Sequence, residues 1–168
     1  MTHWPGFRDD GGVILPLDAA GLLPVDAPRR LRLDGQLLVL KQEFHLTLLG
    51  RDQGRAARTA LGEARLASLF QALDWTIRET GRYALLHKTK QEWDGPLDCW
   101  SLVQHLQVPA MAWFRDAVAR ESGMPLDCGL PHVTLYVAGD PYGIGVPGVD
   151  AYRAVFVREV AATELAAT

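Results

Sequence analysis

The stretches Phe44-His45-Leu46-Thr47-Leu48 and Pro131-His132-Val133-Thr134-Leu135 carry one pattern twice, His-apolar-Thr-apolar. On a strand, side chains alternate between the two faces. His45 and Thr47 therefore share one face while Leu46 and Leu48 enter a core. The same parity groups His132, Thr134 and Tyr136 on one face, with Val133 and Leu135 behind them. Each strand then offers an imidazole and a hydroxyl about 7 Å apart, from the rise per residue of a strand. A lone histidine on a half-buried strand is more often a structural group than a catalyst. Finding the four-residue pattern twice is roughly a one-in-a-thousand event on composition arithmetic, which shifts the reading toward function.

Before the first copy, Arg30 to Leu33 and Gln36 to Leu40 flank Asp34-Gly35, a hairpin signal because glycine accepts positive φ. Glu43 to Leu49 is the next strand. Residues 1–29 hold Pro5, Pro16, Pro24 and Pro28 and read as an irregular lead-in whose best strand is Gly12 to Leu17. After the first copy, apolar residues at three- and four-residue steps from Ala57 to Ile77 predict one long amphipathic helix over Gln53 to Glu79, ended by Gly81. Tyr83 to Leu86 reads as extended, residues 88–97 as a polar loop, and Asp98 to Val108 as a strand. Pro109 opens a second helix, Ala110 to Glu121, with Met111, Trp113, Phe114 and Val118 on its apolar side and Gly123 closing it. Past the second copy come a glycine-rich segment, Gly139 to Gly148, a last strand from Tyr152 to Val160, and a frayed or helical tail.

This order of elements predicts an α+β fold, bilobal, with two antiparallel β-sheets each backed by a helix. The lobes are expected to be interleaved parts of a single domain over residues 1–168, one motif strand in each, at 45–48 and 132–135. At 168 residues the chain is long enough for one sizeable core. The formal net charge of −3 excludes a broad basic surface for extended duplex DNA. No run approaches about 18 apolar residues, so no membrane partner is expected. Cys99 and Cys128 form no C-x-x-C pair and read as two buried thiols in a reducing, cytoplasmic setting. His3, His45, His87, His105 and His132 show no H-x-x-x-H spacing, and no carboxylates cluster with them. No metal and no other cofactor is therefore expected.

With its two His-x-Thr-x strands and the helix and strand order between them, the chain resembles the two-histidine (2H) phosphoesterase superfamily, in particular small bacterial branches of cyclic phosphodiesterase and RNA ligase-like proteins. The resemblance covers about residues 30–160. It implies that His45 and His132 are catalytic, facing each other across a cleft between the lobes, and that Thr47 and Thr134 bind the non-bridging oxygens of the scissile phosphate. It also implies a 2′,3′-cyclic phosphate, or a related cyclic or 2′–5′ phosphodiester, on a nucleotide or RNA end as substrate. RNA repair or processing would be the setting. The chemistry of the residues agrees. Opening a phosphodiester requires one group to take a proton from water and another to give one to the leaving oxygen, and imidazole does either near neutrality.

Around this centre, Tyr136 on the motif face, Tyr142 in the glycine-rich segment and Lys88 after the Tyr83 strand are candidate substrate-binding groups. Trp93 is an aromatic in the same polar loop as the lysines, able to stack on a base. Trp75, Trp100 and Trp113 read as core, and His87 and His105 as structural. Two alternatives use the same cleft: an RNA- or nucleotide-binding module without turnover, and an RNA ligase running the reverse reaction. The number of subunits is not encoded in these patterns.

Overall fold

The structure is a computed structural model that describes residues 2–166. Strand β1 (Val13–Leu17) is followed by the hairpin of β2 (Arg30–Leu33) and β3 (Gln36–Leu40), then β4 (Phe44–Leu49). Asp34 and Gly35 turn that hairpin with φ of 49° and 78°, the left-handed pair that the D-G signal calls for. Helices α1 (Arg51–Leu61) and α2 (Glu63–Gln71) lead to β5 (Arg78–Glu92) and β6 (Gly95–Gln107). Helix α3 (Pro109–Ser122), β7 (His132–Ala138), α4 (Val149–Val155), β8 (Phe156–Val160) and a short 3₁₀ turn, Ala162–Leu165, complete the described chain.

The protein is α+β and its strand pairings are antiparallel. The two separate sheets of the sequence expectation are replaced by one eight-stranded sheet in the order β1-β4-β7-β6-β5-β8, to which the β2–β3 hairpin is joined through β3 and β7. The helices do not divide between two sheets either. Ala57 of α1, Leu66 and Phe70 of α2, and Met111, Phe114 and Val118 of α3 all join one core on one face. That core takes Leu46 and Leu48 from β4 and Val133 and Leu135 from β7, the residues that strand alternation assigned to it. The other face carries a smaller cluster, Ala84, Leu86, Cys99 and Val103, covered by Ile144 of the glycine-rich segment and Tyr152 of α4.

Four further expectations are corrected. The long helix over 53–79 is two helices broken at Gly62, whose φ of 76° no right-handed helix contains, and the chain is already in β5 by Arg78. The polar loop at 88–97 is the end of the β5–β6 hairpin, since its backbone stays paired up to Glu92 and Gly95 whatever its polarity. Residues 152–155 of the expected last strand are the end of α4. Trp113 stands 67% exposed on the solvent side of α3, and Cys128 is exposed, so neither belongs to the core.

Candidate active site

Strands β4 and β7 are neighbours, and Leu46 pairs with Val133. Antiparallel register then sets His45 opposite Thr134 and Thr47 opposite His132. All four are half-buried on the face away from the helices, while Leu46 and Val133 between them are 1% and 0% exposed. The two histidines are therefore diagonal neighbours on one face of one sheet, not residues facing each other from separate lobes. Diagonal cross-strand positions are about 7–8 Å apart, within reach of long side chains, so both imidazoles can meet one small group above the sheet.

The surroundings of the two rings differ. His132 Nδ1 lies 2.7 Å from the Leu130 carbonyl oxygen, so it carries a hydrogen and donates it, and the lone pair of the neutral ring is on Nε2. His45 Nδ1 is buried with no partner, while the Thr47 and Thr134 hydroxyls are not among the buried unpartnered atoms. Burial, then the positive charges of Lys41 and Arg8, hold the His45 pKa down to about 4, against a smaller opposing effect of Glu43. Burial also lowers the pKa of His132, partly offset by its bond to Leu130. Both rings are neutral in the free protein at pH 7.

A narrow cleft of about 20 Å³ reaches Thr47 and His132 between Gln53, Arg115 and Pro147. A separate hollow of about 370 Å³ lies among Leu73, Asp74, Arg78 and Trp113 and contains no motif residue. The glycine-rich segment lies over the motif face: a Cβ on Gly143 would stand 3.5 Å from Thr134 Cγ2. It is held down by Lys90, which pairs with Asp140, and by Pro147, whose carbonyl accepts from Gln53 Nε2 and Arg115 Nη2, each at 3.0 Å.

The remaining candidates are placed unevenly. Tyr136 is removed from the motif face. Val103 pairs with Thr134 and Leu102 with Tyr136, so Leu135 is an extra residue in β7. Such a bulge shifts the alternation by one. Leu135 and Tyr136 both enter the core, where Tyr136 is 0% exposed and its hydroxyl donates to the Pro28 carbonyl at 2.7 Å. Tyr142 is 84% exposed at the tip of the glycine-rich segment. Lys88 is exposed on β5, with β6 between it and the motif strand β7. Trp93 is 96% exposed at the β5–β6 turn.

Three features of the site come from pairings that no local pattern shows. His105 of β6 is the cross-strand partner of His132, and its Nε2 is 2.8 Å from the Tyr152 hydroxyl. Burial, then Glu159, pushes the Tyr152 pKa up to about 12, so this hydroxyl keeps its proton and shares a hydrogen bond with His105 whose direction follows the His105 tautomer. Lys41 leaves β3 beside the second motif. Arg115 is 2% exposed and bonds the chain around both motifs. Among the described residues no three His, Cys, Asp or Glu side chains are grouped as metal ligands would be. Compared with protein-family models, curated proteins and solved structures, the chain matches none.

Proposed function

We propose that this protein is a phosphoesterase that opens a 2′,3′-cyclic phosphate, or a related cyclic or 2′–5′ phosphodiester, at a nucleotide or RNA end without a metal. Within this reading the two motif strands are the matching halves of a duplicated fold of the 2H type. The observation that carries it is the register of β4 on β7, which gathers two imidazoles and two hydroxyls on one half-buried patch. One imidazole takes the proton of the attacking water and the other protonates the leaving oxygen. Thr47 and Thr134 donate to the non-bridging oxygens as charge grows there.

The direct test is purified protein in EDTA with a panel of cyclic nucleotides and end-modified oligoribonucleotides, followed over pH. Turnover is expected to survive chelation. Tight binding of an RNA end without turnover would make the chain a binding module instead, and end-joining would make it a ligase.

The pH dependence follows from the lowered histidine pKa values. The reaction requires one neutral and one protonated imidazole, and kcat/KM reports the free protein. Since both rings lose their protons below the ordinary value of about 6.5, kcat/KM is expected to peak on the acid side of it and fall as pH rises further. A bound phosphate anion favours imidazolium, so the profile of kcat is displaced to higher pH than that of kcat/KM. The two apparent values belong to the coupled pair. Profiles from about pH 4 to 9, with folding checked at each pH, test this. A kcat/KM that peaks well above pH 7 would contradict it.

A further inference from the structure

Lys41 follows directly on β3. Its backbone N–H donates to the Leu135 carbonyl at 2.8 Å, which continues the β3–β7 pairing by one residue and fixes Lys41 beside Thr134. Alternation then sets its direction. Leu38 is fully buried in the helix-side core and Leu40 packs against that core, so Lys41 projects to the opposite face, the one with the motifs. On that face it is half-buried, which is unusual for a lysine without a partner. Among the described residues it forms no ion pair, and Asp140, the nearby acid of the glycine-rich segment, is engaged by Lys90. An ammonium held partly out of water, beside a hydroxyl and an imidazole that are also unpaired, is an arrangement completed by an anion.

We propose that Lys41 is a third phosphoryl-binding group, its ammonium contacting a non-bridging oxygen of the anion seated between His45 and Thr134. The proposal rests on the phosphoesterase reading and extends it by a contact that the two motifs do not contain. In the reaction Lys41 transfers no proton. It neutralises charge that increases as water adds to phosphorus, and it disfavours a second positive charge on His45. The charged groups around His45 are Lys41 and Glu43 from the β3–β4 link, Arg8 from the lead-in and His132 from β7. Asp140 faces Lys41 from the glycine-rich segment.

The test follows the imidazole resonances of His45 and His132 by NMR while inorganic phosphate is added to wild type, Lys41→Gln and Lys41→Arg. Phosphate is expected to shift both resonances in wild type, to bind at least about tenfold more weakly to Lys41→Gln, and to recover in part with arginine. The titration midpoint of His45 should rise in Lys41→Gln, because a neighbouring positive charge is gone, a change that a purely structural lysine would not cause. With a phosphodiester substrate, kcat should fall about 10²-fold, more than KM rises. A folded Lys41→Gln that binds phosphate as tightly as wild type, or a wild type whose motif histidines do not respond to phosphate, overturns the proposal. Weaker phosphate binding in Lys41→Gln with no diester cleaved by wild type would uphold the anion site and remove the phosphoesterase reading alone.

Discussion

His45→Ala and His132→Ala are each expected to lower kcat/KM for the phosphodiester by about 10²–10⁴-fold, the usual contribution of a positioned proton donor or acceptor. Neither ring is a core residue. Each is half-buried on the face away from the helices, so circular dichroism and thermal unfolding should be close to wild type. In the proposed mechanism the two act on opposite sides of one phosphorus, and removing either leaves the other with no matching proton transfer. The double variant should therefore be little slower than the slower single variant. Rates near wild type for either alanine variant would end the two-histidine mechanism, and fully additive losses would argue for independent roles.

Arg115→Ala should destabilise the protein by about 1–3 kcal/mol, the typical loss when the donor to buried polar groups is removed. The guanidinium bonds three parts of the chain. Nε donates to the Asp127 carbonyl at 2.8 Å, and Nη2 reaches the Asp127 carboxylate at 3.4 Å and the Pro147 carbonyl at 3.0 Å. Nη1 donates to the Leu48 carbonyl at 3.0 Å and to Gln53 Oε1 at 3.3 Å. Leu48 follows Thr47 directly, Asp127 belongs to the segment that leads into His132, and Pro147 ends the glycine-rich cover. One buried cation thus holds the surroundings of both motifs together. Alanine would take this donor from the Asp127 and Leu48 carbonyls and leave the Pro147 carbonyl with Gln53 Nε2 alone. Lysine keeps the charge but has fewer hydrogens and no planar fork, so it should restore only part of the loss. The measurement is the urea midpoint at constant m-value. A loss below about 1 kcal/mol for Arg115→Ala would show that the network contributes little.

Much of the local structure was legible because it depends on neighbours in the chain. The Asp34-Gly35 turn, the N-terminal Pro109 and terminal Gly123 of α3, and the in-out alternation around His45 and His132 are set by φ preference and by period-two burial. The failures were of two kinds. At Gly62 the apolar period ran on across a residue with positive φ, because periodicity detects which face is buried and not whether the axis continues. Along β7 alternation was right up to Leu135 and wrong at Tyr136, because a bulge is decided by how β6 pairs with β7.

What the sequence determined by itself is the chemistry on offer: two imidazoles and two hydroxyls, each pair carried on one face of a short strand. Alternation of side chains is a local property of extended backbone, so a motif of four residues is enough to state it. What only the tertiary structure decided is which groups meet. The Leu46–Val133 register placed the four motif side chains on one patch of a single sheet. The β6–β7 pairing brought His105 to His132, the end of β3 delivered Lys41, and α3 delivered Arg115. These contacts join residues far apart in the chain, and strand order and register depend on the burial of the whole sheet against its helices, which no local pattern contains.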